Sequence, residues 1–257
     1  MRIDLNADVG ESFGAYTFGQ DASLMASITS ANIAAGFHAG DPTVLRTTIR
    51  LAKAHGVAIG AHPGFPDLAG FGRRELGVTP QEAEDFILYQ IAAVAGIARA
   101  EGAELSHVKA HGALYNRAAR DRPLADAVAR AVAAFDRSLV LFAPPRSALF
   151  DAAREAGLRV AVEGFADRAY ESTGQLVSRQ KAGSVIHDLA IVVSRAVRMV
   201  TERVVFGLDG SVVPLELDTM CIHSDTPDAG RLAAAVRHAL ETAGVAVRPV
   251  REPRRVA

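Results

Sequence analysis

The sequence predicts an α/β protein: a seven-stranded, irregular parallel β/α barrel surrounded by helices. Strand-like and helix-like segments alternate along most of the 257 residues, and several strand-like segments are continuous apolar runs, as in strands buried on both faces. Polar candidate residues follow at least six of the seven strands, whereas an open sheet shows one dominant glycine-rich turn at its switch point. We therefore predict one barrel domain over residues 1–245 and a basic tail over 246–257.

Seven apolar segments are predicted as the strands of the barrel. In chain order they are residues 3–6, 30–35, 57–61, 106–110, 139–143, 158–162 and 217–222. A β-hairpin with Asp209-Gly210 at its turn is predicted just before the last of these strands.

Capping residues mark the ends of the predicted helices. Asp41, followed by Pro42, predicts the start of a helix that Gly56 ends. The segment Thr79-Pro80-Gln81-Glu82 is a capping box and predicts a second helix, which runs to Gly102. Apolar residues at helical spacing predict further helices around 124–135, before Gly157 and around 232–243.

Composition excludes several classes of protein. The net charge is −1 and the dense basic cluster lies in the predicted tail, so nucleic acid is not expected as a partner. Cys221 is the sole cysteine, so no intrachain disulfide can form. No segment has the apolar core of a signal peptide or the roughly 20 apolar residues of a membrane span. We predict a cytoplasmic protein without a membrane segment.

The first two strands are followed by candidate acids and bases. Asn6, Asp8 and Glu11 place an amide and two carboxylates within one turn, and an acid with a base near one scissile bond needs such neighbours. Either carboxylate can instead cap the next helix. After the second strand, His38 lies between glycines that allow the backbone to approach a ligand. Asp41 is better explained as a helix cap, so His38 is the stronger functional candidate.

The loop after the third strand is long enough to be a lid or a binding loop. His62 stands at the end of the strand, and residues 63–76 contain three glycines and two prolines. Arg73 and Arg74 suit a carboxylate or a phosphate, because a guanidinium donates two parallel hydrogen bonds. We expect only one of these two arginines to face a ligand.

Lys109 and His111 follow the fourth strand and are predicted to share one side of it, because side chains alternate along a strand. A lysine that points inward must meet an anion or a polar substrate. Glu163, Asp167 and Arg168 follow the sixth strand, and His223 and Asp225 follow the seventh. The four remaining histidines are expected to be structural or solvated: His55, His107, His187 and His238.

Six segments in register resemble the LamB/YcsF family, the A subunits of 5-oxoprolinase. These are DLNADVGESFG, ANIAAGFHAGDP, GVAIGAHPGFPDLAGFGRREL, HVKAHGALYN, EGFADRAY and DTMCIHSD. The resemblance implies a seven-stranded barrel of the glycoside hydrolase and deacetylase type. It also implies ATP as co-substrate and partner subunits B and C, which together open 5-oxo-L-proline to L-glutamate. Many members have cysteine where this chain has Ala7 and Ala35, so a cysteine nucleophile at those positions is excluded here.

The chemistry implied by the resemblance assigns roles to the candidates. Lys109 and Arg73 are expected to bind the substrate carboxylate and the developing oxyanion. The base for water is left open among Asp8, His38, His62, Glu163 and His223. The full set of predicted catalytic residues is Asp8, His38, His62, Lys109, His111, Glu163 and His223. The predicted substrate-binding residues are Asn6, Glu11, Arg73, Asp167, Arg168 and Asp225.

Two other functions are also compatible with these residues. Asp8, His38 and His62 end three consecutive strands and can form a divalent metal site, which would indicate a metal-dependent deacetylase of sugars or amides. Alternatively, the barrel only binds 5-oxoproline for its partner subunits, without carrying out chemistry itself.

Overall fold

The computed structural model describes residues 1–178, 181–222 and 228–251. Within these ranges the chain forms ten strands and eight helices. In chain order they are β1 (Arg2–Val9), α1 (Asp21–Met25), β2 (Ser30–Ala34), α2 (Pro42–His55), β3 (Ala58–His62), α3 (Pro80–Ala100), β4 (Leu105–Val108), α4 (Gly112–Ala118), α5 (Arg122–Phe135), β5 (Val140–Ala143), α6 (Ala148–Glu155), β6 (Arg159–Phe165), α7 (Leu189–Thr201), β7 (Val204–Phe206), β8 (Val212–Pro214), β9 (Thr219–Ile222), α8 (Ala229–Thr242) and β10 (Ala246–Val247).

Seven parallel strands close into a barrel, which confirms the predicted fold class. They pair in the order β1, β2, β3, β4, β5, β6 and β9, and β9 pairs with β1 to complete the ring. The ring is irregular at β4, where the register to β3 shifts between Ile59 and Gly60 and where only two residue pairs join β4 to β5. Because every barrel strand runs in the same direction, the residues that follow the strands collect at one end of the barrel.

The helix boundaries at the two strongest capping signals are confirmed. The Asp41 carboxylate accepts hydrogen bonds from the backbone N–H groups of Thr43 and Val44, at 2.8 and 3.1 Å, and Gly56 ends α2 in the left-handed conformation with φ 67°. At α3, both reciprocal bonds of the capping box between Thr79 and Glu82 are present. These caps fix the helices that flank the candidate site.

Several elements differ from the prediction. β1 extends to Val9, so Asp8 lies within the strand, and the last barrel strand begins at Thr219. The predicted hairpin is present as the antiparallel pair β7 and β8, while α1, α4 and α7 were not predicted. Residues 246–248 of the predicted tail lie along β1: β10 pairs with Arg2 and Ile3, and the Arg248 N–H donates to the Ile3 carbonyl.

Polar side chains lie inside the barrel, whereas the outer face of its sheet is apolar. On β1, Asp4 and Asn6 are buried inside the ring, whereas the outer face of the sheet packs against apolar helix residues such as Ile87 and Ile91. Burial raises the pKa of Asp4 to about 6, although hydroxyl hydrogen bonds, the strongest from Thr219, lower it in part. In the described part of the chain no helix is long and apolar enough to span a membrane.

Candidate active site

Lys109 is the centre of a buried ion cluster at the carboxyl end of the barrel strands. Its ammonium lies 3.0 Å from Oδ1 of Asp8 and 2.9 Å from Oε1 of Glu163. It also donates to Asn6 Oδ1 at 3.2 Å and to Cys221 Sγ at 3.0 Å. Burial alone would lower the pKa of Lys109, but the adjacent carboxylate of Asp8, among other neighbours, raises it well above its usual value. The lysine is therefore a fixed cation.

Asp8 and Glu163 both line the cavity described below, and Asp8 is the more exposed of the two. Its side chain is 17% exposed, whereas that of Glu163 is fully buried. Oδ1 of Asp8 accepts a hydrogen bond from Asn32 Nδ2 at 2.9 Å and lies 3.4 Å from His62 Nε2. Burial would raise the pKa of Asp8, but the charges of His62 and Lys109 outweigh it and hold the pKa well below its usual value. Asp8 is ionised at neutral pH.

His62 and His111 each point one ring nitrogen towards the other ring. His62 Nδ1 lies 2.7 Å from the carbonyl oxygen of Lys109, and His111 Nε2 lies 2.8 Å from that of Phe71. Because a carbonyl only accepts, both of these nitrogens carry the proton. The other two nitrogens, His62 Nε2 and His111 Nδ1, are 3.0 Å apart. In the neutral rings two lone pairs face each other, so this arrangement calls for a shared proton or a cation.

His38 and Glu11 complete this second cluster. The His38 ring stacks on His111 at a centroid distance of 3.7 Å, and neither His38 nitrogen has a hydrogen-bond partner among the described residues. Glu11 Oε1 lies 3.8 Å from His38 Nε2 and 3.6 Å from His111 Nδ1. Gly64 makes room for the ring, because a Cβ there would lie 2.5 Å from His38 Nδ1. One donor atom from each of Glu11, His38, His62 and His111 lies within 4.8 Å of the others.

The charge of the two clusters favours a cation. Three carboxylates, those of Asp8, Glu11 and Glu163, lie in these clusters beside the single ammonium of Lys109. Burial lowers the pKa of both His38 and His111 well below the usual value, and the neighbouring imidazoles lower it further. These rings are neutral, as metal-ligating histidines are, and a carboxylate with three imidazoles is a typical ligand set for a divalent ion such as Zn²⁺.

A cavity of about 770 Å³ opens from both clusters to the surface. Asp8, His62, Lys109 and His111 line it and are buried or nearly so, which places them at its inner end. Its walls also include Arg73, Tyr115, Phe165, Arg168 and Tyr170. The volume is in the range of sites for small organic molecules. Polar groups therefore converge on a space that a small substrate can enter.

The two arginines of the long loop have different surroundings. Arg74 forms a salt bridge with the buried Asp67, which also accepts from the backbone N–H of Gly70. Arg73 lines the cavity, with its guanidinium 5.2 Å from the ring centroid of Phe71. The start of the loop is anchored to α3: the Gln90 side chain accepts a hydrogen bond from the N–H of Gly64 and donates one to its carbonyl.

Comparisons with known proteins identify the family. The model of the LamB/YcsF family matches residues 3–255. The chain belongs to the LamB/YcsF family. It is 54% identical to the 5-oxoprolinase A subunit of Chloroflexus aggregans over 98% of this chain and 100% of the relative, and 51% identical to the protein of the same name in Thermococcus onnurineus, over 98% and 99%. The crystal structure of a lactam utilization protein from Thermus thermophilus has a TM-score of 0.93 at 52% identity, over 96% of this chain and 99% of that one.

In this LamB/YcsF chain most of the predicted site residues lie in one place. The eight that meet in the two clusters are Asn6, Asp8, Glu11, His38, His62, Lys109, His111 and Glu163. The metal candidates differ from the predicted set: Asp8 pairs with Lys109, and Glu11 and His111 join His38 and His62 instead. The catalytic roles of these residues stay predictions.

Other predicted site residues lie apart from the clusters or outside the described residues. Arg168 is buried and donates from Nη2 to the Val177 carbonyl at 2.6 Å and from Nε to the Ser184 carbonyl at 3.3 Å, so its guanidinium holds the segment after β6. Asp167 is buried in the same segment. Substrate binding stays a prediction for both. His223 and Asp225 lie outside the described residues.

Residues of the site that were not predicted include Asn32 and Tyr115. Asn32 bonds to both Asn6 and Asp8, and Tyr115 lines the cavity with a buried hydroxyl. Asn32 lies inside an apolar strand, a position at which an amide needs a partner, and this is the signal that identifies it. Tyr115 is in the first helical turns after His111 and carries no comparable signal.

Proposed function

We propose that this chain is the A subunit of an ATP-dependent 5-oxoprolinase, which opens the lactam of 5-oxo-L-proline to L-glutamate. The observation that carries the proposal is the Lys109 ion cluster beside the histidine cluster, at the inner end of a cavity in a chain whose relatives bear this name. Subunits B and C are the proposed partners, and ATP the co-substrate. Neither the GxGxxG nor the GxxxxGKS/T pattern occurs in the sequence, so we assign ATP binding to the partners.

The reaction needs charge stabilisation and one proton carrier. A five-membered lactam resists hydrolysis, and conversion of its carbonyl oxygen to a phosphate by ATP makes attack by water feasible. Lys109 stabilises the negative charge that develops on oxygen, and Arg73 binds the substrate carboxylate. Asp8 takes a proton from the attacking water and returns it to the ring nitrogen as the C–N bond breaks, which leaves an acyl phosphate. A second water molecule then displaces the phosphate, so that 5-oxo-L-proline, ATP and two waters give L-glutamate, ADP and phosphate. We choose Asp8 over Glu163 because Asp8 is the more exposed carboxylate.

The histidine cluster is proposed to hold a divalent cation. Glu11, His38, His62 and His111 fit such an ion, because one donor atom from each lies within 4.8 Å of the others and the His38 nitrogens have no hydrogen-bond partner among the described residues. A bound cation would supply Lewis acidity and lower the pKa of a water molecule. His62 and His111 are held for this task by their bonds to backbone carbonyls.

Reconstitution tests the proposed function. Purified chain with homologues of B and C is expected to release L-glutamate, ADP and phosphate from 5-oxo-L-proline and ATP, whereas the chain alone is expected to release little or none. The Asp8→Asn variant should be inactive in the same mixture while it still assembles with the partners. Release of glutamate by the isolated chain with ATP would remove the partner requirement, and no release by the full mixture would contradict the function.

A second candidate function is favoured by the histidine cluster alone. A metal-dependent hydrolase of acetylated sugars or amides needs a cation-bound water but neither ATP nor partners. Acetate release from N-acetylated sugars by the isolated, metal-loaded chain would favour this function. Binding of 5-oxoproline without chemistry is the remaining alternative, in which Lys109→Ala would weaken substrate binding and leave turnover at saturating substrate unchanged.

We expect Arg73→Ala to reduce kcat/KM of the reconstituted enzyme about 10- to 150-fold, because a charge-assisted contact to the substrate is lost. Arg73→Lys should restore only part of this, since an ammonium lacks the two-pronged geometry. Arg74→Ala is the matched control, because Arg74 pairs with Asp67 in the same loop. Steady-state kinetics with 5-oxo-L-proline measure both. Near wild-type values for Arg73→Ala would show that this guanidinium does not bind the substrate.

A further inference from the structure

His107 lies inside the barrel directly below the candidate site, and its hydrogen bonds lead to Asp8. The ring is 2% exposed and stacks on Phe142, with a centroid distance of 4.4 Å and an interplanar angle of 8°. Nδ1 lies 2.8 Å from the hydroxyl of Ser106, and Nε2 lies 2.9 Å from Asn32 Oδ1. His107 has no part in the mechanism proposed above.

The donor and the acceptor of each hydrogen bond between Lys109 and His107 can be assigned, because an ammonium only donates and a carboxylate only accepts. The Lys109 ammonium only donates, so the Asn6 atom that it meets is the oxygen. Asn32 Nδ2 then donates one hydrogen to Asn6 Oδ1 at 2.7 Å and the other to Asp8 Oδ1 at 2.9 Å. The oxygen of Asn32 is left to face His107, so Nε2 of the ring must carry a proton.

The ring is held in this one tautomer. Burial lowers the pKa of His107 to about 3, so the ring is neutral and carries a single proton. With that proton on Nε2, Nδ1 is an acceptor for the Ser106 hydroxyl at 2.8 Å, which it shares with the Ile59 carbonyl at 2.9 Å; the tautomer is therefore set by the contact with Asn32. A reversed Asn32 amide would place its oxygen against the oxygens of Asn6 and Asp8 and its NH2 against the N–H of His107, which is unfavourable at all three contacts.

Gly60 on the neighbouring strand β3 leaves the space that the His107 ring occupies. A Cβ at Gly60 would lie 2.0 Å from His107 Nε2 and 2.3 Å from Cδ2. The register between β3 and β4 also shifts at Gly60. The barrel interior therefore has space for an imidazole at this position, and the N–H of that ring points to Asn32.

We propose that His107 is a positioning residue of this enzyme: through Asn32 it fixes the orientation of the Asp8 carboxylate. Asn32, Lys109 and His62 all meet Oδ1 of Asp8, which leaves Oδ2 for water or substrate. The effect on turnover rests on the proposed function, in which Asp8 carries the proton. The orientation of Asp8 does not depend on that function.

The test compares two replacements of the ring. His107→Phe keeps the stack on Phe142 and removes the donor, whereas His107→Gln keeps an N–H donor without the ring. In the reconstituted enzyme we expect His107→Phe to lower kcat about 10- to 100-fold with little change in KM, as for other outer-shell partners. His107→Gln should recover most of kcat. His238→Phe, on the exposed face of α8, is the control and should behave as the wild type.

Crystal structures of the same variants test the inference without any reaction. The Asn32 amide and the Asp8 carboxylate should be turned from their wild-type positions in His107→Phe and unchanged in His107→Gln. Should His107→Phe not fold, Gly60→Ala displaces the ring instead and should lose kcat to a similar extent. Wild-type kcat with the Asp8 carboxylate in place in His107→Phe or Gly60→Ala would overturn the inference. So would equal losses in the phenylalanine and glutamine variants. An inactive wild-type complex would contradict the proposed function alone, because the crystal structures still decide on His107.

Discussion

Replacing Lys109 with methionine is expected to reduce kcat/KM of the reconstituted enzyme by at least about 10³-fold, since it removes the cation that stabilises the developing oxyanion. It also leaves Asp8 and Glu163 buried without their ammonium partner, at 3.0 and 2.9 Å. Breaking a buried ion pair in this way typically lowers the free energy of unfolding by about 3–5 kcal/mol. Steady-state kinetics and urea unfolding of the purified chain measure the two effects.

The double variant Lys109→Met, Glu163→Gln separates stability from catalysis. It removes one of the two carboxylate charges that Lys109→Met leaves unpaired, so part of the lost stability should return while activity stays low. Lys53→Met is the control, because Lys53 is exposed on α2 and donates to the carbonyl of Glu101. A Lys109→Met enzyme with more than a tenth of the wild-type rate would show that this ammonium does not take part in the reaction.

Removal of the proposed cation is expected to have the second large effect. Chain purified without chelators should contain about one divalent ion, and removal of the ion should reduce turnover by at least about 10³-fold, because Lewis acidity contributes several kcal/mol. His111→Ala should lower the metal content, since it deletes the ligand whose Nδ1 faces His62 Nε2 at 3.0 Å. Elemental analysis and activity before and after dialysis against a chelator measure this.

His238→Ala provides the matched control for the cation, as an exposed histidine on α8. Its metal content and activity should equal those of the wild type. Full activity of a chain shown to be free of metal would exclude the cation. The two facing lone pairs of His62 and His111 would then need a shared proton.

The fold was predictable because its signals are local and repeated. Apolar runs followed by polar loops located the seven barrel strands, and the caps at Asp41 and Thr79 located two of the helices. The short β10 strand has only two residues, Ala246 and Val247, and becomes a strand because it pairs with β1. Pairing of this kind depends on tertiary structure, so the sequence of such a segment carries little signal.

The site was predictable as a set of residues but not as a pattern of contacts. The strand ends brought Asp8, His38, His62 and Lys109 to one place, as expected for parallel strands. The sequence could not show that Asp8 pairs with Lys109 while Glu11 joins the histidines. This choice depends on distances across the barrel and on which atoms the backbone carbonyls engage.

His107 shows where the same reasoning was incomplete. The alternation that placed Lys109 and His111 on one side of the chain applies equally to His107, which we nevertheless expected to be structural or solvated. Its bond to Asn32 at 2.9 Å connects it to the site. A buried imidazole at strand spacing from two candidate residues is a signal that the sequence contained.

A crystal structure of this chain with 5-oxo-L-proline tests the central claim most directly. The claim is that lactam opening takes place at the inner end of the cavity, between the Lys109 cluster and the histidine cluster. We predict the lactam carbonyl within hydrogen-bonding distance of Lys109 or of the histidine cluster, with the substrate carboxylate towards Arg73. A lactam bound outside this cavity, or one whose carbonyl contacts neither cluster, would contradict the account.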